Sequence, residues 1–434
     1  MLMTAENIAS DKIALIISNR TYSPQMPNLL TPHCDAESLA DALQQLKFKT
    51  VTLGDLKIDE MRFIIQEYRK LFGEGIYAVF YFVGHGFEAN GQCYLLPIGA
   101  PAENYGPEDC ISMDWVMSVF CDCNPALNLI ILDICRKFLP TNLDAFQAYA
   151  ERFRRPEIIK INRNTVYGYA TSGGVGAYEV RGEVNGVFMK YLKKRITQNL
   201  NVLDMLKRVF RDIEKDKKVC DVQIPELRSN LTRPRSLLDP LIFDGHTVSY
   251  DHHTMQWRLM HELPTPVHVT FADQRQLVTV WFDFCGHFTN KVYVFSNVSE
   301  VPTDEQCYDY PSNVNALIPE IFNTANVGPI NDNEDNLSPQ SYFAHLQFQP
   351  EFDASLPKIC IDDEEGVSLC VMLSNLQRCK GELRCTLELR LSAKADVNSP
   401  GNDSFAITLA ESNFVASKEV VLGHVLVTRL TSSI

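Results

Sequence analysis

IYAVFYFVGHG (76–86) and LNLIILDIC (127–135) are the two stretches that decide the fold. Each is a run of apolar, β-prone residues, which predicts a central strand of a parallel sheet covered by helices on both faces. Each strand ends next to a residue able to do chemistry, His85 after the first and Cys135 after the second. Because α/β folds bind ligands at the carboxyl ends of their strands, these two residues are expected to share one site.

The sequence around these strands alternates apolar runs with amphipathic segments, which is typical of an α/β domain, expected here over 10–242. The other elements predicted in this half are strands at 13–17, 48–53 and 165–171, and helices opening at Asp35, after Asp59, and over 113–120, 187–196 and 202–214.

The second half changes to strands of alternating polarity, which predicts an all-β sandwich over 265–434. Its strands are predicted at 267–271, 276–284, 291–295, 367–373 and 383–391. A connecting helix that ends at Pro264 is expected within a linker over 243–264. Trp257 lies on that helix, and it is expected either to pack between the domains or to couple the sandwich to the first domain.

Composition restricts the partners of the chain. A formal net charge of -14 disfavours nucleic acid and anionic membrane surfaces, which both require clustered Lys and Arg. Neither a signal-peptide pattern nor an apolar run of roughly 18 residues is evident, so a soluble, cytoplasmic protein is expected. The 13 cysteines are odd in number and lack zinc-ligand spacing, which favours reduced thiols and predicts neither a metal nor an organic cofactor.

A cysteine and a histidine at one sheet edge point to nucleophilic catalysis. A thiol is mostly protonated at neutral pH, and the imidazole of His85 can accept its proton and later protonate a leaving amine. The backbone N–H groups of Gly86 and Cys135 are predicted to hold the developing oxyanion. The alternative is that Cys135 is a small core residue and Gly84-His85-Gly86 only a turn.

Several segments together resemble the animal paracaspases. They are YFVGHGFE (81–88), LLPI (95–98), LIILDICRK (129–137), VYGYATSGG (166–174) and QWRLMHELP (256–264). The resemblance implies a caspase-like domain, mainly a parallel sheet flanked by helices, followed by an immunoglobulin-like sandwich. It also implies a cysteine endopeptidase that cleaves after arginine, with Cys135 as nucleophile and His85 as its partner.

The same resemblance implies protein substrates with a basic cleavage residue, a homodimer formed through the caspase-like domain, and adaptor or scaffold partners in immune signalling toward NF-kappa-B. It places three acids around the substrate arginine, namely Asp35, Asp133 and Glu179. One of them has independent support, because Asp133 and Cys135 would lie about 7 Å apart on one strand face, comparable to the reach of an arginine side chain.

Each of these residues also has an alternative interpretation without a catalytic or binding role. Each acid could be a solvated surface charge, and Asp35 could be a helix N-cap. Acids in place of the arginines with which caspases hold aspartate disfavour cleavage after aspartate, and metacaspases, which also have a His-Gly and Asp-x-Cys pair, lack the downstream sandwich. A second functional hypothesis is a signalling scaffold that keeps the caspase-like fold with little proteolysis.

Overall fold

The computed structural model describes residues 7–121, 123–137, 143–153, 163–242, 263–285, 288–301, 341–362, 366–379, 381–392 and 412–423. Trp257 and nearly all of the expected linker lie outside the described residues. The helices are α1 (Pro32–Gln45), α2 (Ile58–Arg69), α3 (Met113–Val119), α4 (Leu143–Phe153), α5 (Val187–Arg195) and α6 (Val202–Lys215).

Strands in the first half are β1 (Lys12–Ser18), β2 (Lys49–Gly54), β3 (Tyr77–Val83), β4 (Gly86–Ala89), β5 (Gln92–Leu95), β6 (Ile111–Ser112), β7 (Leu127–Asp133), β8 (Thr165–Tyr169) and β9 (Glu226–Ser229). Those in the second half are β10 (Val267–Phe271), β11 (Gln276–Phe284), β12 (Val292–Glu300), β13 (Ser341–Phe348), β14 (Lys358–Asp362), β15 (Gly366–Leu373), β16 (Leu383–Ser392) and β17 (Asn413–Gly423).

The first half is built on a six-stranded sheet in the order β2-β1-β3-β7-β8-β9. All neighbouring strands are parallel except β8 and β9, which pair antiparallel. The two strands that decide the fold, β3 and β7, lie side by side in its centre and are fully buried. The α/β prediction for this half is therefore confirmed.

Helices cover both faces of this sheet. Alternate residues of a strand point to opposite faces, and Tyr81 accordingly lies in the core beneath α1, α5 and α6. Its neighbour Phe82 lies in the core beneath α2 and α3. The same strands contribute side chains to both cores, so both faces of the sheet are shielded from water. This explains why β3 and β7 are continuous apolar runs in the sequence.

A small antiparallel sheet in the order β4-β5-β6 follows the end of β3. The sequence did not predict these short strands or β9, since elements of two to four residues carry too little periodicity to be recognised. Helix α4 was not predicted either. The sheet matters for function because β4 begins at Gly86, directly after His85.

Two antiparallel sheets make up the second half, one in the order β10-β11-β12-β15-β14 and one in the order β13-β16-β17. They share one hydrophobic core, to which the first sheet contributes residues such as Val280 and Val294, and the second Leu346 and Leu387. We call these two sheets, with the segments that connect their strands, the β-sandwich. Three of its strands, β13, β14 and β17, were not predicted from the sequence.

The β-sandwich contacts the free edge of the larger sheet at β2. The backbone N–H of Thr52 donates to the carbonyl oxygen of Phe288 over 2.9 Å. Thr52 and Thr289 form an isolated parallel bridge, and Phe288 packs against the core beneath α2 and α3. A short segment of the β-sandwich thus continues the hydrogen bonding of the first sheet. None of the described helices is long and apolar enough to cross a membrane.

Candidate active site

Strand pairing brings His85 and Cys135 to neighbouring positions. The last residue of β3, Val83, pairs with the last residue of β7, Asp133. His85 and Cys135 each follow two residues after these strand ends, and paired strands lie about 4.8 Å apart. Gly86 lies against Ile134, where a Cβ on Gly86 would stand 2.8 Å from Cδ1 of Ile134. Only glycine allows this close approach between the segment that contains His85 and the segment that contains Cys135.

The imidazole of His85 is oriented by the loop between β1 and α1. Its Nε2 lies 2.7 Å from the carbonyl oxygen of Pro27. A carbonyl oxygen only accepts hydrogen bonds, so Nε2 carries a proton, and in the neutral ring Nδ1 is the free base. Tyr22 secures the same residue: its hydroxyl accepts from the His85 backbone N–H over 2.8 Å, and the two ring centroids are 4.5 Å apart.

The thiol of Cys135 is half-buried and faces the segment that follows β8. Its Sγ accepts a hydrogen bond from the Ala177 N–H over 3.4 Å and lies 3.6 Å from the Ala177 carbonyl oxygen. Among the described residues, no hydrogen bond joins Cys135 Sγ to His85, and the Cys135 backbone N–H has no acceptor. That N–H is therefore available to an oxyanion.

The three acids named in the sequence analysis lie together on the α1 face of the sheet. Thr31 connects two of them, because its hydroxyl lies 3.0 Å from Asp35 Oδ2 and 2.9 Å from Glu179 Oε1. Asp133 is the third, and the hydroxyl of Tyr81 donates to its Oδ2 over 3.4 Å. Glu179 lies two residues beyond Ala177, so the segment that contacts the thiol also supplies an acid.

This cluster has a high electrostatic cost. Burial raises the pKa of Asp35 to about 6, and the Glu179 charge adds to the effect. Burial raises the pKa of Asp133 well above its ordinary value, with further contributions from the charges of Asp35 and Glu179. No Lys or Arg in the described part of the chain forms an ion pair with any of the three. The cluster therefore has no counterion among the described residues, and Asp35 and Asp133 hold their protons more tightly than free carboxyl groups do.

The three carboxyl groups differ in how much hydrogen-bonding capacity is left. Asp35 accepts from the Asn185 amide, the Gly186 N–H and the Thr31 hydroxyl. Glu179 accepts from the backbone N–H groups of residues 30 and 31. Among the described residues, the carboxyl group of Asp133 has only the long contact to Tyr81. A carboxylate can accept about four hydrogen bonds, so Asp133 is the acid with most capacity for a ligand.

Arg136, directly after Cys135, is a buried cation that the sequence analysis missed. Its guanidinium contacts Glu88 over 2.7 Å and Glu226 over 2.6 Å, and only 2% of its side chain is exposed. It also lies 4.3 Å from the centroid of the Tyr169 ring. Since Glu88 follows Gly86 on β4, this cation joins the segment of the nucleophile to the segment of the histidine.

The structure thus brings together Cys135, His85, Gly86 and the three acids, while Trp257 lies outside the described residues. Asp35 is not a helix N-cap: α1 begins at Pro32, and Asp35 lies in its buried first turn. Loop groups such as Pro27 and Thr31 carried no sequence signal, because they act through their backbone or a single hydroxyl. No cluster of potential metal ligands occurs among the residues described.

Comparison with known proteins adds independent findings. A family model described as the caspase domain matches residues 11–235. The human mucosa-associated lymphoid tissue lymphoma translocation protein 1 and its mouse homolog are each 31% identical to this chain over 303 residues. The alignments cover 69% of this chain and 35% of each relative, so the chain spans about a third of the length of these curated relatives.

The pKa of Asp35 predicts how the stability of the ligand-free protein changes with pH. A folded-state pKa of about 6 against the ordinary 3.8 means that the native state binds protons more tightly than the unfolded state. The contribution is fully present below pH 3.8 and is lost as the pH rises through 6, by about 3 kcal/mol. Urea unfolding from pH 4 to 7.5 should show this loss in the wild type and much less of it in Asp35→Asn. Parallel pH profiles for the two proteins would contradict a buried carboxyl that has no cationic partner among the described residues.

Arg136 should be essential for stability, because its removal leaves Glu88 buried without a counterion. We expect Arg136→Met to lower the free energy of unfolding by about 3–5 kcal/mol. The neighbouring Lys137 is exposed, so Lys137→Met serves as the control and should change stability by less than about 0.5 kcal/mol. Equal unfolding free energies for the two variants would show that the buried network is unimportant.

Proposed function

We propose that this chain, which belongs to the caspase-domain family and is related to the paracaspases, is a cysteine endopeptidase that cleaves proteins after arginine. Membership of a cysteine peptidase family follows from the match to the caspase domain. Activity and arginine specificity are our inference. The observation that supports them most is the position of Asp133: a buried acid with spare hydrogen-bonding capacity, two residues before the candidate nucleophile.

The proposed reaction uses Cys135 and His85. Nδ1 of His85 accepts the thiol proton, and the thiolate attacks the scissile carbonyl carbon. The resulting oxyanion is held by the N–H of Cys135 together with that of Gly86. The imidazolium then protonates the leaving amine, which leaves a thioester on Cys135. Water, deprotonated by His85, hydrolyses this thioester to the carboxylic acid and restores the thiol.

A bound arginine would relieve the electrostatic cost of the acid cluster. Its guanidinium supplies the missing counterion, and its planar donors can pair with the carboxylate of Asp133 at two points, which a lysine ammonium cannot do. Asp35 and Glu179 already accept hydrogen bonds from their surroundings. We therefore assign them mainly to the negative potential and shape of the pocket, and Asp133 to direct contact with the guanidinium.

A signalling scaffold with little proteolysis is the alternative function. It requires the caspase-like fold but no acceptor for an arginine and no oriented imidazole. The Pro27 carbonyl fixes the imidazole in the form that leaves Nδ1 as a base. A scaffold would gain nothing from three clustered acids, whose burial has a high electrostatic cost. Both features favour the enzyme.

Other expectations from the sequence remain proposals. We propose a homodimer through the caspase-like domain, for which the outer edge of β9 is available among the described strands. We also propose an immunoglobulin-like topology for the β-sandwich, domain boundaries near 242 and 265, and a cytoplasmic protein that works with adaptor partners in NF-kappa-B signalling. A basic cleavage residue in the substrates agrees with the net charge of -14.

Peptides that differ only in the residue before a fluorogenic amide test the specificity. The wild type should hydrolyse the arginine peptide, act at least about 10-fold more slowly on the lysine peptide because bidentate pairing is lost, and leave the aspartate peptide intact. Cys135→Ala and His85→Ala should abolish turnover. Asp133→Asn should reduce kcat/KM for the arginine peptide by about 10- to 100-fold, the range expected for one hydrogen-bonded charge.

Glu183→Gln provides a matched control for Glu179→Gln, because Glu183 lies on the same segment but pairs with Lys190 over 2.8 Å. Only the Glu179 variant should lose activity toward the arginine peptide. If dimeric wild-type protein hydrolyses none of the peptides faster than Cys135→Ala, the enzyme is ruled out and the scaffold remains.

A further inference from the structure

Asp55 is a buried carboxylate that the proposed reaction does not use. It directly follows β2, and only 5% of it is exposed. Its backbone is left-handed, with φ of 55°, a conformation that Asp, Asn and Gly tolerate best. No hydrogen bond or ion pair in the described part of the chain joins it to the acid cluster, so its role must be sought in its own contacts.

Those contacts hold the loop between β1 and α1. Oδ1 of Asp55 accepts hydrogen bonds from the backbone N–H groups of Arg20 and Thr21, over 2.8 and 2.9 Å. Oδ2 lies 3.4 Å from Nε2 of His33 on α1. Burial alone would raise the pKa of Asp55, but the His33 contact and the two N–H groups instead hold the pKa at about 2. The charged carboxylate thus fixes both ends of the loop.

The same loop orients the imidazole of His85. It contains Tyr22, whose hydroxyl accepts from the His85 N–H, and Pro27, whose carbonyl oxygen accepts from Nε2. Tyr22 lies one residue after Thr21, and its own N–H donates to Asn28 across the loop. A shift at Thr21 would therefore move both groups that hold the imidazole.

The β-sandwich fixes Asp55 from the other side. Asn290 is almost fully buried, and its side chain accepts from the Gly54 N–H over 2.9 Å and donates to the Gly54 carbonyl oxygen over 2.8 Å. The guanidinium of Arg378 donates to the carbonyl oxygen of Asp55 over 3.2 Å. The Gly54–Asp55 turn is therefore held by the second half of the chain while its carboxylate holds the loop beside His85.

We propose that Asp55 is a positioning residue for the candidate active site: it fixes the loop that orients His85, and the β-sandwich holds it in place through Asn290 and Arg378. Asp55 touches neither substrate nor the reacting atoms. The alternative is that Asp55 only stabilises the fold. The two roles differ in what happens at Cys135 in a variant that is still fully folded.

Two substitutions at one position separate these roles. Asp55→Gly keeps the left-handed backbone without strain and removes the acceptor for the Arg20 and Thr21 N–H groups. Asp55→Asn keeps an oxygen that can accept from both. Asp11→Ala is the control, because Asp11 is equally buried at 5% but lies at the opposite end of β1, where it contacts Lys49 over 3.1 Å.

The main readout is the rate at which iodoacetamide alkylates Cys135, followed by mass spectrometry of the Cys135 peptide, well below the unfolding temperature of every variant. This rate reports on the His85–Cys135 pair and requires no peptidase activity. We expect Asp55→Gly to slow alkylation by about 10- to 100-fold, toward the rate of His85→Ala, since misplacing a base by about 1 Å has effects of this size. Asp55→Asn should restore most of the rate, and Asp11→Ala should retain all of it.

Turnover of the arginine peptide is the second readout, and it rests on the proposed function. Asp55→Gly should lower kcat more than it raises KM, because the acid cluster keeps its own contacts. If folded Asp55→Gly is alkylated and turns over substrate at wild-type rates, the positioning role is contradicted, while the proposed peptidase activity is unaffected. If this variant is alkylated slowly and the wild type shows no turnover, the proposed peptidase activity is ruled out, while the positioning role of Asp55 is supported.

The contribution of the β-sandwich has its own test, which also applies if Asp55→Gly does not fold. Asn290→Ala removes both hydrogen bonds to Gly54 and should slow alkylation of Cys135 in the same direction. Ser296→Ala is the control, because Ser296 is buried within the β-sandwich and its hydroxyl donates to the carbonyl oxygen of Ala344 on the opposite sheet. Equal alkylation rates in the two variants would contradict a role for the β-sandwich in positioning His85.

Discussion

The parallel pairing of β3 with β7 is the constraint on which the rest of the structure depends. Because Val83 pairs with Asp133, the residues that follow each strand leave the sheet at the same level. This register places the histidine beside the cysteine and the acid Asp133 below the cysteine on the α1 face. A shift of one residue would turn every side chain of one strand to the opposite face and separate the site.

The main electrostatic feature of this site is its group of buried, clustered carboxyl groups. The protein concentrates three carboxyl groups on the α1 face of the sheet, and no cation in the described part of the chain pairs with them. The neighbouring residue of the candidate nucleophile, Arg136, is by contrast balanced by Glu88 and Glu226. The two clusters show that this fold can neutralise buried charge where it has no ligand to bind. We therefore propose that the acid cluster forms half of an ion pair whose other half is a bound substrate.

The sequence was sufficient to predict the parallel sheet of the first half and to propose candidate residues at the ends of its two central strands. The apolar runs of β3 and β7 are long, and strands that end together on a parallel sheet must meet at one edge, so His85 and Cys135 could be placed side by side without coordinates. The loop contacts could not be predicted in this way. Pro27 acts through its carbonyl oxygen, and Asp55 acts through bonds to residues more than thirty positions away. Such contacts depend on tertiary packing, which leaves no periodic pattern in the sequence.

The most direct measurement is a crystal structure of the protein after reaction with a peptide whose arginine carries a fluoromethyl ketone. We expect a thioether between the inhibitor and Cys135 Sγ, with the guanidinium paired to Asp133 and flanked by Asp35 and Glu179. A covalent bond to another residue, or an arginine side chain that extends into solvent away from the three acids, would contradict this expectation.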